Sequence, residues 1–112
     1  MARKAQAKLK PVVVVTTTVA MAAEAKRMAA RIVESRLAAC VQTMPIRSVY
    51  RWKGRMESAN EVLLSIKTRS DLAKRLVSFI RELHAYEVPE ILVMPVKSGL
   101  PAYLEWICRE TE

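Results

Sequence analysis

Hydrophobic and polar positions change period several times along the chain, and each change marks an element. Val12-Val13-Val14-Val15 followed by Thr16-Thr17-Thr18 is a β-branched run without alternation. That is the pattern of a strand covered on both faces, so it is expected at the centre of a sheet. Met21, Ala25, Met28, Ala29, Ile32 and Val33 then recur at helical spacing, with Glu24, Arg27, Arg31, Glu34 and Ser35 on the other side. They predict a surface helix that ends near Arg36. From Cys40 the repeat shortens to alternation: Ile46, Ser48, Tyr50 and Trp52 share one strand face and Arg47, Val49, Arg51 and Lys53 the other. Pro45 lacks an N–H for the ladder, so an edge or a bulge is expected there.

Lys53-Gly54-Arg55 reads as a tight turn that folds the chain back as a hairpin. In the returning strand Val62, Leu64 and Ile66 lie on one face and Glu61, Leu63, Ser65 and Lys67 on the other. Ser70 is the expected N-cap of a second helix, with Asp71 in its first turn and Leu72, Leu76, Phe79, Ile80 and Leu83 inward. A strand from Glu90 to Val96 follows, and Ile91-Leu92-Val93-Met94 reads as buried. After the break at Lys97-Ser98-Gly99, Pro101 opens a short terminal helix carrying Tyr103, Trp106 and Ile107.

The order β-α-β-β-α-β with a C-terminal helix predicts an α+β fold, a ferredoxin-like sandwich of two split βαβ units. Right-handed crossovers put both long helices on one face of an antiparallel sheet. The other face then keeps apolar positions from Val12 to Val15, from Ile91 to Met94, and at Tyr50, Trp52 and Leu63. An exposed patch of that kind is rare on a monomer, so a homo-oligomer is expected.

Composition narrows the functional classes. The 112 residues suit one domain over residues 11–112, preceded by a basic mobile arm over residues 1–10. The formal charge is +8, but Arg3, Lys4, Lys8 and Lys10 belong to the arm, leaving 15 basic against 11 acidic residues in the body. Without interleaved aromatic and basic positions, no specific nucleic-acid partner is expected. The apolar runs are too short to cross a bilayer and no secretory signal is legible, so no membrane partner is expected and the cytoplasm is the expected compartment. Cys40 and Cys108 stand in no CxxC or CxxH spacing and are expected to be thiols.

The chemistry concentrates in His84-Ala85-Tyr86-Glu87-Val88-Pro89-Glu90, which holds the only histidine of the chain. Two readings stand side by side: a junction that caps a helix and starts a strand, or a binding site built from the same groups. An enzyme is not expected, because one histidine with scattered serines defines no nucleophile and base, and two glycines make no phosphate loop.

Five stretches in collinear order resemble CutA, the divalent-cation tolerance family. They are Leu37-Ala38-Ala39-Cys40-Val41, the run Ser48-Val49-Tyr50-Arg51-Trp52-Lys53-Gly54, Glu61 with Lys67-Thr68, the run from His84 to Ile91, and Tyr103-Leu104-Glu105-Trp106-Ile107. The resemblance spans about Val12 to Arg109. It implies a compact cytoplasmic homotrimer of ferredoxin-like subunits, associated with tolerance of copper and other divalent metals, with its shared polar and aromatic residues in a cleft between subunits. Some members of the family carry a cysteine where Thr16 stands and a second histidine where Leu83 stands, so only the His84 part of that set is kept here. Proline or aspartate is usual where Val19-Ala20 stands.

From this resemblance the candidate metal ligands are His84 and Cys40, with a divalent ion such as copper as the candidate cofactor. Copper needs imidazole, thiolate or thioether donors within about 2 to 2.5 Å. One histidine, two cysteines and six unclustered methionines per chain favour a weak site shared between subunits over a dedicated carrier. Trp52, Glu61, Lys67, Tyr86, Glu90 and Trp106 are expected to line a cleft for a small ligand, as in signalling trimers of the PII type. Docking of another protein is the third reading. The structural alternatives are an interchain ion pair for Glu61 and Lys67, and interface packing for Tyr50, Trp52 and Trp106.

Overall fold

The β-branched run that opens the sequence forms β1 (Val12–Val19), and the threonines continue the strand rather than end it. It is followed by α1 (Ala22–Glu34), β2 (Cys40–Trp52), β3 (Arg55–Arg69), α2 (Ala73–Leu83), β4 (Ile91–Pro95) and α3 (Pro101–Arg109). The protein is described by a computed structural model over residues 9–111. Most of the expected arm, residues 1–8, lies outside the described residues. Lys10 lies against the domain, its ammonium 3.3 Å from the Asp71 carboxylate.

The strands make one antiparallel sheet in the order β2-β3-β1-β4. Val12 faces Arg69 and Val19 faces Val62 across β1 and β3, while Val13 faces Pro95 and Thr17 faces Ile91 across β1 and β4. This is the split βαβ arrangement expected from the element order. β1 is central, as its pattern requires. Residues directly opposed share a face, so Val15, Thr17, Val19, Leu64, Ile66 and Thr68 point together under α1 and α2, and all are buried. Ala25, Met28 and Ile32 of α1 and Leu76 and Ile80 of α2 close this core.

Local geometry follows from the residues present. At the end of α1 the Arg36 N–H donates to the Val33 carbonyl and the Leu37 N–H to the Ile32 carbonyl, a Schellman cap. Arg36 takes the left-handed conformation that glycine usually supplies there, at φ 62°. Lys53 and Gly54 both have positive φ, as a two-residue hairpin turn needs. Pro45 pairs in register with Val62 without a bulge, which β2 tolerates because its other edge is unpaired among the described residues.

Several expectations are corrected. Ser70 caps no helix: its N–H donates to the Pro11 carbonyl at 2.8 Å, and a 3-10 turn over Ser70–Leu72 leads into α2 with no side-chain cap. Asp71 accepts from Arg69 Nε at 2.9 Å instead. Met21 stands before α1 in an extended conformation and is exposed, as is Val33. The β4 run is an edge strand, not a buried one: Leu92, Val93 and Met94 keep 53%, 44% and 43% of their surface exposed in the single chain. The sheet face away from α1 and α2 is partly covered by α3, which packs on β1 and β3 and buries Ile107.

Thr17 Oγ1 is buried and has no hydrogen-bond partner among the described residues. The isosteric change Thr17→Val removes that orphaned hydroxyl and is expected to stabilise the fold by about 1 kcal/mol. Leu64→Ala opens a void beneath the helices and is expected to cost about 2 to 5 kcal/mol. Denaturant midpoints of the two variants should move in opposite directions; a loss of stability in Thr17→Val refutes the orphan.

Candidate functional site

The site is built where α2 ends. His84 leaves helical geometry at φ −81° and ψ 138°, and Pro89 two residues before β4 keeps the connection from resuming a helix. The backbone N–H of Tyr86 donates to His84 Nδ1 at 3.2 Å, so Nδ1 accepts. His84 Nε2 lies 2.8 Å from the Thr18 carbonyl, which can only accept, so Nε2 carries the proton. His84 therefore ties its own loop to β1. Tyr86 packs against the imidazole with ring centroids 4.8 Å apart and donates its hydroxyl to Glu61 Oε2 at 2.7 Å. Burial raises the Tyr86 phenol above its ordinary pKa, and the Glu61 carboxylate accepting its proton raises it further.

Two anchors, one to β1 and one to β3, hold the loop over the sheet. Between the loop and the outer part of β2 lies a groove of about 750 Å³. Thr18 and Glu61 line it from the sheet, Ser48, Val49, Tyr50 and Trp52 from β2, and Ala85, Tyr86, Glu87, Val88 and Glu90 from the loop. Among the described residues its lining contains three carboxylates and no lysine or arginine. At its rim Lys53 Nζ lies 4.0 Å from Glu87 Oε1 and 5.6 Å from the centre of the Trp52 ring.

The expected cleft residues fall into two groups. Trp52, Glu61, Tyr86 and Glu90 line the groove, with His84 behind the loop that forms one wall. Cys40, Lys67 and Trp106 lie at the other end of the sheet. Cys40 faces Lys67, which faces Val14, and Val14 is four residues from Thr18 on β1. At strand spacing that is about 13 Å along the strand. There the Lys67 ammonium donates to Gln42 Oε1, and Tyr103 stacks on Trp106 at 5.6 Å. Burial, and then the neighbouring Cys40 thiol, raise the Tyr103 phenol above its usual pKa. Neither Glu61 nor Lys67 needs the other within one chain. Thr18 and Ser48 are groove residues outside the expected set, while Glu87 belongs to the His84–Glu90 stretch that reads as either a junction or a binding site. Ser48 was within reach, since it alternates with Tyr50 and Trp52 on one face of β2.

The family described as CutA1 divalent ion tolerance protein matches residues 13–110. This chain belongs to the CutA family. Protein CutA of Mus musculus is 49% identical over 89 residues, covering 79% of this chain and 50% of that protein. The divalent-cation tolerance protein CutA of Archaeoglobus fulgidus is 38% identical, covering 80% of this chain and 87% of that one. The crystal structure of CutA1 from Oryza sativa superposes with a TM-score of 0.90 at 41% identity, covering 93% of this chain and 96% of that one. The chain spans about half the length of the mouse and human CutA proteins.

Among the described residues of this CutA chain, no three His, Cys, Asp or Glu side chains come together as a metal site. Both nitrogens of His84 are engaged within the chain, so ligation at Nδ1 requires the Tyr86 N–H to leave it. A single CutA subunit in this conformation does not fit a copper centre on His84 and Cys40.

Tyr86→Phe is expected to cost about 1 to 2 kcal/mol through the lost bond to a carboxylate. Because the folded phenol pKa is raised, this stabilisation is whole below the unfolded value of about 10 and is lost as pH climbs beyond it. Alkaline absorbance titration should show Tyr86 as the last of the three tyrosines to ionise. If Tyr86→Phe removes the earliest transition, the bond to Glu61 is refuted.

Proposed function

We propose that this CutA chain works as a homotrimer in the response to divalent cations, copper among them, with its ligand site in a cleft between subunits. The observation that carries the reading is the match over residues 13–110 to a family described by divalent ion tolerance. The Archaeoglobus fulgidus relative bears the same description. Relatives are named for tolerance and not for a reaction, and no catalysis is proposed.

Assembly is supported by surface chemistry. Leu92, Val93 and Met94 form an exposed apolar run on β4, and Met44, Val49 and Met56 add exposed apolar side chains on β2 and β3. Such surface favours contact with further copies. β2 and β4 also each present an edge unpaired among the described residues, which a neighbouring strand can use. An ion held by both Cys40 and His84 takes them from different subunits, since one chain keeps them apart. Cys40 and Cys108 are free thiols, and a reducing compartment such as the cytoplasm would keep them so.

A second reading, small-ligand sensing, is favoured by the groove. Its volume of about 750 Å³ and its mix of aromatic walls with a few polar groups are those of a ligand pocket.

Native mass spectrometry of the wild type, His84→Ala and Cys40→Ser, each titrated with copper(I), copper(II) and zinc(II), tests both parts. A trimer that binds a fixed number of ions, fewer in both variants, is the expected result. A monomer at micromolar concentration refutes the assembly. A trimer that binds no ion, or binds equally in the variants, refutes ligation by His84 and Cys40 and leaves the small-ligand reading.

A further inference from the structure

Charge is distributed unevenly over this molecule. Lysine and arginine outnumber aspartate and glutamate 19 to 11, yet among the described residues the groove is lined by Glu61, Glu87 and Glu90 without a basic side chain. Three of the six aromatic side chains, Tyr50, Trp52 and Tyr86, line the same space. Carboxylates beside aromatic faces are the recognition chemistry of an organic cation, whose charge is attracted both by the acids and by the ring quadrupoles. A bare metal ion asks for something else, several donors converged on one point, and no three such side chains converge among the described residues.

The rim already shows this chemistry in use. The Lys53 ammonium stands 5.6 Å from the centre of the Trp52 ring and 4.0 Å from Glu87 Oε1. It is a primary ammonium on a four-carbon stem, placed between an indole and a carboxylate of the groove. Lys53 follows Trp52 at the hairpin turn, where its positive φ of 51° helps set its direction. Its side chain is 70% exposed, so it is held loosely and can swing away at little cost.

We propose that the groove binds a small primary amine with a hydrocarbon body, its ammonium displacing that of Lys53 between Trp52 and Glu87 and its body lying against Tyr50 and Tyr86. The inference rests on the small-ligand reading of the groove and names the ligand class for it. Lys53 acts as a resident competitor, so removing it strengthens binding.

The probes are n-hexylamine, protonated at neutral pH, with hexanol and hexanoate as uncharged and anionic controls. In the assembled Trp106→Phe protein, Trp52 is the only indole and its fluorescence reports the groove. Hexylammonium is expected to shift the emission saturably, and neither control to do so at equal concentration. Lys53→Ala should tighten the apparent Kd by about threefold to tenfold and Glu87→Gln should weaken it by a similar factor, as exposed cation–π and ion-pair contacts allow. Equal responses to hexylammonium and hexanol, or an unchanged or weaker Kd in Lys53→Ala, overturn the proposal. If hexylammonium is silent while ADP, glutamate or zinc(II) shifts Trp52 saturably, the amine assignment falls and the groove stands as a ligand site. If none of the probes moves it, both fall.

Discussion

The backbone of β1 is the constraint on which the rest of the structure depends. It carries one ladder to β3 and another to β4, so the two halves of the chain are joined through it. Its side chains alternate between the helix layer and the opposite face, and most are buried. A strand in that position admits no unpaired backbone groups and few large polar side chains, which is why valine and threonine fill it. Its carbonyls also serve chemistry beyond the sheet. The Thr18 carbonyl near its end accepts from His84 and so sets where the loop before β4 can lie.

That contact joins fold to site. The histidine is at once the end of a helix, a tether to the central strand and an acceptor for the loop that walls the groove. The question of junction or binding site has no single answer here: the junction is structural in its bonds and functional in what it positions. Tyr86 repeats the arrangement on β3 through Glu61. A loop fixed to two strands by two aromatic side chains holds its carboxylates in place with little loss of order on binding, which favours affinity.

Much of this was legible from local pattern. The unbroken β-branched run located the central strand, helical spacing located Ile32, Leu76 and Ile80 in the core, and alternation identified the β2 face that carries Tyr50 and Trp52. Patterns of that kind report which face a residue takes, but not how far along the sheet it lies. Cys40 and Glu61 share a face, yet register places them at different levels, opposite Lys67 and Ile46 respectively. The single cleft expected from the family resemblance therefore divides within one chain. Ser70 misled for a related reason. Its composition suits a cap, but its N–H was already committed to Pro11 across the sheet, a partner 59 positions away that no local rule can see.

The β2–β3 ribbon has a consequence for dynamics. Thirteen residue pairs from Cys40 with Lys67 to Trp52 with Arg55 make it about 44 Å long at strand spacing. β1 backs the ribbon only from Arg69 to Val62, so from Glu61 outward the two strands have, among the described residues, only each other as sheet partners. Two-stranded ribbons are marginal in water. In a lone chain the outer amides, Arg47 to Ser58 among them, belong to the part of the molecule that opens locally and exchanges hydrogen with solvent first, while those of β1 wait for global unfolding. The β2 wall of the groove stands on that outer stretch, so whatever clasps the ribbon also decides how long the groove keeps its shape.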